Sequence, residues 1–417
     1  MKKIVMGIAA LAMAASVFAV DFAARTVMEG SIAGGTIDIN GDEKKEGTLT
    51  FWNLSAKDQK DADALVVSVN NDNSGAKFQM WYKYDGTDPM NLGVRGANIW
   101  FKPIDMLKVT VGDVSLKTFG ETLDYWKSPD GGDAATHQTY SWSGYSSVEG
   151  AGIALELTPV DGLYIAGGLV AKTGSDFATI KFDSKDDEKY ASWGIDVKYS
   201  LAGIAGIPMN IAASYRDAGR NVTDAGVVEN GVKIAAIGVE YGNRYGSGLY
   251  ALFNARFRFE DFSYSAVDSK VGAYGTTYTW KKENALQAVA FDTMFRYKVD
   301  ALEILGRFPV TLRTVQDVTA NGKKASDYGF KNPSWMSYEL KVIYALDSLN
   351  VYLDVENDTA VTFDKNFAET YLDMNVQPGI TCNFGGAALD LGLKLDIPNK
   401  KGANLGWSVP FNVAIAF

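Results

Sequence analysis

Cysteine and histidine are almost absent from the 417 residues, which narrows the chemistry available to the chain. The one cysteine, Cys382, cannot form an internal disulfide. The one histidine, His137, is not accompanied by zinc-ligand spacing or a nucleophile elbow, and no glycine-rich phosphate loop occurs. The aspartates Asp58, Asp61 and Asp63 lack the spaced glycine and terminal glutamate of a calcium loop. The sequence therefore predicts no enzymatic activity, no metal and no cofactor.

Long apolar runs are also missing, except at the N-terminus. Lys2 and Lys3 precede an apolar run over 4–18, which is followed by a small residue. This pattern predicts a cleaved secretory signal peptide over 1–19 and a mature chain over 20–417. A membrane anchor is the alternative, but the run is shorter than the roughly 20 residues that cross a bilayer.

Positive charge is in short supply, because 40 Lys and Arg stand against 50 Asp and Glu. The net charge is -10, and removal of Lys2 and Lys3 with the signal peptide leaves 38 basic residues against the same 50 acidic ones. This balance argues against nucleic acid as a partner. Glycine is frequent at 42 residues, aromatic residues make up 12%, and proline is scarce at 10.

Alternating apolar and polar segments, joined in pairs by tight turns, recur along the mature chain. Alternation of this kind is typical of strands with one apolar face. Pro, Asp, Asn and Gly favour reversal of the chain between two strands. Eight turns are predicted in this way, at or near 70–75, 103–106, 159–162, 201–208, 242–248, 298–300, 345–348 and 385–386.

Long polar segments separate these hairpins, and the sequence places them at 40–63, 116–149, 173–188, 217–231, 263–283 and 317–332. Short turns at one end and long loops at the other are typical of an outer-membrane barrel. The sequence therefore predicts an all-β fold, a transmembrane antiparallel up-and-down β-barrel. It has about 18 strands, with 16 as the alternative count and an even number expected in either case.

A soluble β-sandwich or propeller would also alternate, but two features favour the barrel. The stretch from Leu249 to Phe259 keeps one face apolar over about 10 residues, the length that a tilted strand needs to cross a bilayer. Aromatic residues such as Trp100, Trp193 and Tyr199 gather near strand ends, as in an interfacial girdle.

The C-terminal strand carries apolar residues at every second position, among them Phe411, Val413, Ile415 and the terminal Phe417. This end resembles the C-terminal assembly signal of Gram-negative outer-membrane proteins. With segments such as A-D-A-L-V-V-S-V-N-N-D and V-G-D-V-S-L-K-T-F-G-E-T-L-D-Y-W, the mature chain resembles the porin-like proteins of spirochaetes. The resemblance implies location in the cell outer membrane, with lipid and the barrel assembly machinery as partners. It also allows a homotrimer.

Six arginines are candidates for the wall of a water-filled lumen. The apolar face fixes which side chains of each strand point inward, and a charge facing mid-bilayer lipid costs roughly 2–4 kcal/mol. For Arg216 and Arg313, exposure near a strand end is the alternative. The candidates are Arg216, Arg256, Arg258, Arg296, Arg307 and Arg313.

The longest loop, at about 116–149, carries Glu121, Asp124, Asp130 and Asp133. The resemblance to porins implies that this third loop folds into the barrel and narrows it. An acidic loop that faces arginines would create a transverse field across the constriction. A solvated surface lid is the alternative.

These features predict a passive diffusion channel for small hydrophilic solutes, with weak charge selectivity. One alternative is a surface adhesin or structural outer-membrane protein that uses the barrel as a mount. Another is a sugar-selective channel, in which Trp81, Trp100, Tyr250 and Tyr352 point inward and form a stacking track.

Overall fold

A computed structural model gives the fold of the larger part of the chain. It describes residues 19–37, 43–46, 50–53, 64–83, 91–116, 148–170, 192–202, 206–217, 221–222, 228–229, 233–243, 246–268, 276–314, 318–320, 323–328, 334–336, 338–357, 361–362, 374–398 and 404–416. Within these residues, no helix is both long and apolar enough to cross a membrane.

Antiparallel strands make up most of the described chain. The first fourteen are β1 (Ala19–Ile37), β2 (Glu43–Glu46), β3 (Thr50–Asn53), β4 (Ala64–Asn70), β5 (Ser74–Lys83), β6 (Asn91–Ile104), β7 (Leu107–Leu116), β8 (Val148–Val160), β9 (Leu163–Val170), β10 (Ser192–Ser200), β11 (Met209–Asp217), β12 (Asn221–Val222), β13 (Val228–Glu229) and β14 (Lys233–Tyr241).

The second half of the chain contains the two longest strands and one short 3-10 helix (Ala325–Tyr328). Its strands are β15 (Gly248–Asp268), β16 (Thr276–Val299), β17 (Leu302–Arg313), β18 (Thr319–Ala320), β19 (Lys323–Lys324), β20 (Trp335–Met336), β21 (Glu339–Leu346), β22 (Leu349–Asn357), β23 (Val361–Thr362), β24 (Met374–Phe384), β25 (Ala387–Gly392), β26 (Lys394–Ile397) and β27 (Leu405–Ala416).

One 23-stranded sheet contains all of these strands except two short pairs, β12–β13 and β18–β19. Several strands lie in line and pair with the same neighbour: β2, β3 and β4 along β1, β20 and β21 along β17, and β25 and β26 along β24. β23 continues β22 in the same way, through its pairing with β20. Strands that lie in line occupy one position in the barrel wall, which we call a stave. The described strands therefore form eighteen staves, the number predicted from the sequence.

The sheet closes because its first and last strands pair. β1 runs antiparallel to β27, from Arg25 opposite Ala416 to Ile37 opposite Leu405. Closure removes the two exposed edges that an open sheet would present. The fold is an antiparallel up-and-down β-barrel, as predicted.

The eight predicted turns all lie between consecutive staves, at one end of the barrel. Their residue types explain the geometry. Asp300 and Asp347 have φ values of 50° and 44°, in the left-handed region that Asp tolerates better than most residues. Gly162 and Gly385 reach φ values of 81° and 64°, where glycine has no steric penalty.

The opposite end differs from the prediction, because four segments expected to be long loops contain strands, among them 217–231 with the short β12–β13 pair. Most of 263–283 continues the β15–β16 hairpin, which was predicted as loop because its residues are polar. The segment 40–63 contains β2 and β3, which pair with β1, and 317–332 contains β18, β19 and the 3-10 helix. Polar strands that extend beyond a barrel do not show the apolar alternation on which the prediction relied.

Pro410 lies inside the closing strand, and the pairing is irregular beside it. Pro410 is opposite Ser31, and the register then shifts before Gly34 pairs with Ser408. Proline has no backbone N–H to donate. A bulge at this position interrupts the regular ladder where proline cannot form its hydrogen bond. Ser31 Oγ donates a hydrogen bond of 2.8 Å to the carbonyl oxygen of Ala33 within the bulge.

Candidate functional site: the inner wall of the barrel

The two faces of the barrel wall have opposite chemistry. On β15, Phe253 is 46% exposed, whereas its neighbour Asn254 is 0% exposed. Asn254, Arg256 and Arg258 lie on the face that the closed barrel encloses, and Phe253, Phe257 and Phe259 lie on the outer face. Strand alternation therefore separates an inner face that carries charged and amide groups, together with a buried apolar cluster of Leu252, Met294 and Leu305, from an apolar exterior.

The outer face carries a ring of aromatic side chains at the end where the short turns lie. Each is exposed and stands within a few residues of a different turn. The set is Phe101, Tyr241, Tyr297, Tyr344 and Phe384. Above this ring the exposed side chains are mainly aliphatic, among them Ile153, Leu155, Ile195 and Ile237. An aromatic girdle beside an apolar band is the pattern of a wall in contact with lipid.

Four of the predicted arginines lie on the inner wall at mid-strand positions. Arg256, Arg296 and Arg307 are each 3% exposed, and Arg258 is partly buried. Arg296 and Arg307 are on neighbouring strands, and Arg256 lies on the next strand beyond Arg296. The structure therefore brings these residues to one side of the barrel interior.

Carboxylates on the wall pair with three of these arginines. Arg296 binds Glu303 with two hydrogen bonds, Nε to Oε1 at 2.7 Å and Nη2 to Oε2 at 3.1 Å. Arg258 Nη2 lies 2.9 Å from Glu260 Oε2. The Nε of Arg307 is 3.7 Å from Asp292 Oδ1, an ion pair without a direct hydrogen bond.

A second row of polar residues continues around the wall from Arg307. In register, Arg307 faces Glu339, Glu339 faces Glu356, and Glu356 faces Asn375. All four are buried, at 0–7% exposure. One row nearer the short turns, Lys341 Nζ lies 2.9 Å from Asp354 Oδ2.

Sequence reasoning identified the arginines of this wall but missed its carboxylates. Asp292 has the same parity as Arg296 on β16. Asp354 and Glu356 have the same parity as the inward Tyr352 on β22. Applying one parity rule to every charged residue would have found them. The buried acids Asp196, Asp292, Glu339, Asp354 and Glu356 outnumber the buried arginines, so the wall has mixed charge.

Two inward tyrosines proposed for a stacking track are held by hydrogen bonds at the wall. Tyr250 Oη donates to Glu240 Oε1 at 2.9 Å. Tyr352 Oη donates to Asp390 Oδ1 at 2.8 Å and accepts from Gln377 Nε2 at 3.0 Å. Trp100 is half-buried and donates to Asn70, and nothing is described of the Trp81 side chain.

The remaining predicted site residues are placed only in part. Arg216 is half-buried near the end of β11, on the same face as Ala212 and Ser214. The backbone of Arg313 ends β17 opposite Ala288.

The loop carboxylates Glu121, Asp124, Asp130 and Asp133 lie outside the described residues, as does His137.

The closing strand shows the surroundings of the proposed assembly signal. Phe411, Val413 and Ile415 face the outward Leu391, Leu389 and Ala387 of the neighbouring strand. The terminal Phe417 lies outside the described residues. Within those residues, no group of three or more His, Cys, Asp or Glu is arranged to hold a metal ion.

Comparison with known proteins finds similarity at the level of structure only. No protein-family model matches the chain, and no curated protein sequence matches it. The chain is similar to OccAB4 of Acinetobacter baumannii, with 12% identity, 95% of this chain and 98% of that chain covered, and a TM-score of 0.45. It is also similar to the outer membrane protein OpdK (8% identity, 95% and 99% covered, TM-score 0.49) and to OpdQ (11%, 95% and 99%, 0.49), both of Pseudomonas aeruginosa.

Proposed function

We propose that the chain is an outer-membrane porin, a passive diffusion channel for small hydrophilic solutes with weak charge selectivity. The separation of an apolar, lipid-type outer face from a charged inner wall is the observation that carries this proposal. A packed soluble barrel would reverse it, with apolar residues inside. The long-loop end is then the external end, and the short turns face the periplasm.

The size of the barrel supports a channel. Eighteen staves exceed the eight that side chains can fill, and barrels of 16–18 strands leave an aqueous lumen. The inner wall is suited to water, since it carries arginines, carboxylates, amides and lysine. Buried charges of this kind require partners, and carboxylates of the wall supply them for Arg258, Arg296 and Arg307.

Weak charge selectivity follows from the pairing within the wall. Arg258, Arg296 and Arg307 each have a wall carboxylate within 4 Å, so their fields are partly cancelled at the wall itself. An acidic excess among the buried wall residues then favours cations slightly. These pairs within the wall act in addition to the acidic loop that we expect to lie opposite the arginines.

The following parts of the proposal rest on the sequence alone. The segment 116–149 folds inward and brings Glu121 and Asp124 towards the wall. The barrel assembly machinery recognises the terminal Phe417 after a cleaved signal peptide has directed export. Association into a homotrimer is compatible with this class of barrel, and the resemblance to spirochaete porin-like proteins stays a prediction.

Liposome swelling tests the permeability. Vesicles that contain the refolded, heat-modifiable protein should swell rapidly in small sugars and amino acids, at rates that fall smoothly with solute size. A rate that is high for one sugar and saturates would instead indicate the sugar-selective channel. Correctly folded protein that gives no swelling would favour the adhesin or structural role.

A further inference from the structure

The β15–β16 hairpin projects well beyond the barrel wall. The pairing of β15 with β14 ends at Phe259, and that of β16 with β17 ends at Ala288. β15 continues to Asp268, nine residues further. At about 3.3 Å per residue this is an extension of roughly 30 Å, at the end away from the short turns.

One face of this extension continues the inner face of the barrel. Even-numbered residues of β15 face the lumen from Tyr250 to Arg258, and both register shifts of the hairpin insert the extra residue in β16. The alternation of β15 is therefore unbroken, which places Tyr264 and Ala266 on the lumen side. Trp280 is directly opposite Tyr264 and belongs to the same face.

The described residues of the cap, which we define as 318–320 and 323–328, pack on this face. The cap comprises the β18–β19 ladder and the 3-10 helix, and it follows β17 in the chain. Trp280 and Ala325 are both fully buried in the contact, at 0% exposure. The ring of Trp280 lies 5.2 Å from that of Tyr328 and 5.6 Å from that of Tyr264, measured between centroids.

Two hydrogen bonds fix the backbone of the cap to the hairpin. Trp280 Nε1 donates to the carbonyl oxygen of Lys323 at 2.8 Å. Tyr264 Oη donates to the carbonyl oxygen of Tyr328 at 2.7 Å. Side chains of the hairpin thus satisfy carbonyl groups at both ends of the β19–helix region.

Lys323 adds a third attachment through its ammonium group. The Nζ atom donates to Tyr278 Oη at 2.9 Å and lies 4.1 Å from the centre of the Tyr278 ring. The same Nζ atom lies 5.1 Å from the centre of the Tyr328 ring, which belongs to the cap itself. A cation beside aromatic rings is attracted by their electron-rich faces, so the ammonium joins the two elements.

We propose that the cap is fixed over the external entrance of the lumen, where it limits the size of entering solutes, and that Lys323 helps Trp280 and Tyr264 to hold it there. This inference deepens the proposed channel function and rests on it.

The attachment by Lys323 should not depend on pH in the physiological range. Hydrogen bonds to Tyr278 and then Tyr328 raise the pKa of the Lys323 ammonium above its usual range. A raised pKa stabilises the attached state at every pH below the ordinary lysine value of about 10.4, and this contribution is lost only as the pH rises through the higher value. The contact made by Lys323 therefore does not act as a pH-operated switch in the physiological range.

Distance measurement between two spin labels tests the attachment without reference to transport. In a Cys382→Ser background, labels at the exposed Lys281 of the hairpin and the exposed Asp327 of the cap should give one narrow distance distribution. Lys323→Ala should broaden it, and Tyr278→Phe should broaden it less because the ring remains. Lys282→Ala removes an exposed charge from the same hairpin and should leave it narrow. A broad distribution in the parent protein would overturn the attachment.

Liposome swelling with sugars of increasing size tests the restriction. Lys323→Ala should admit sugars that the parent protein excludes, while Lys282→Ala keeps the parent limit. A released cap with an unchanged size limit would show that the cap is not in the solute path. A narrow distribution that persists in Lys323→Ala would remove the role given to Lys323. Parent protein that is silent in every transport assay would refute the channel, whereas the distance measurement would still decide the attachment.

Discussion

Arg296 and Glu303 form a two-point ion pair on the inner wall, with Nε 2.7 Å from Oε1 and Nη2 3.1 Å from Oε2. The residues lie on adjacent strands, β16 and β17, at the short-turn end of the barrel. Lys298 Nζ is 3.6 Å from the same carboxylate, so Glu303 neutralises part of two positive charges. The wall therefore carries its counter-charges within itself.

Glu303→Gln should shift the reversal potential in a salt gradient towards anions, because it leaves Arg296 and Lys298 without their carboxylate. Removal of one partner from a dry buried pair costs roughly 3–5 kcal/mol, and a wet lumen should reduce this cost enough for folding to survive. Reversal potentials in a salt gradient across planar bilayers measure the effect. The matched control is Asp105→Asn, at an exposed turn outside the lumen. Equal reversal potentials for both variants would mean that Glu303 does not face the permeating ions.

Phe253 and Asn254 test the assignment of the two faces. Phe253→Arg places a charge in lipid, at a cost of roughly 2–4 kcal/mol near mid-bilayer, and should reduce the yield of heat-modifiable barrel. Asn254→Arg should fold, since Asn254 is on the polar inner face opposite Asp292 of β16, whose carboxylate can pair with the new guanidinium. Conductance, but not folding, should change in the second variant. The reverse pattern would place every side chain of β15 on the other face.

The inward position of the long loop can be tested by neutralising two of its carboxylates together. Glu121→Gln with Asp124→Asn should move the reversal potential towards anions, because the loop charges would no longer offset the wall arginines. Asp58→Asn with Asp61→Asn removes the same charge from a different loop and serves as the control. If the two double variants behave alike, the loop is not in the pore.

The sequence was sufficient for the barrel, its eighteen staves and its eight turns. Each strand of the barrel shows a two-residue alternation in the sequence, and each turn contains Asp, Gly, Asn or Pro. Both signals are therefore local. The inward arginines followed from the same parity. Asp300 and Asp347 illustrate the local signal of the turns, because the residue type alone marks a position that requires positive φ.

Contacts between distant segments left no such local signal. The ends of β15 and β16 carry many polar residues and were taken for loop, yet their one aromatic face, with Tyr264, Tyr278 and Trp280, forms the support on which the cap packs. The contact between Trp280 and the cap brings together residues about 40 positions apart. Partners such as Glu303 and Glu339 required the strand register, which the sequence does not fix around a closed barrel.

Single-channel recording of the refolded, heat-modifiable protein in planar bilayers tests the central claim most directly. The account predicts stable conductance steps on the nanosiemens scale, nearly linear with voltage and only weakly selective for cations. Folded barrel that inserts into the bilayer but produces no steps would contradict the claim that this protein is a channel.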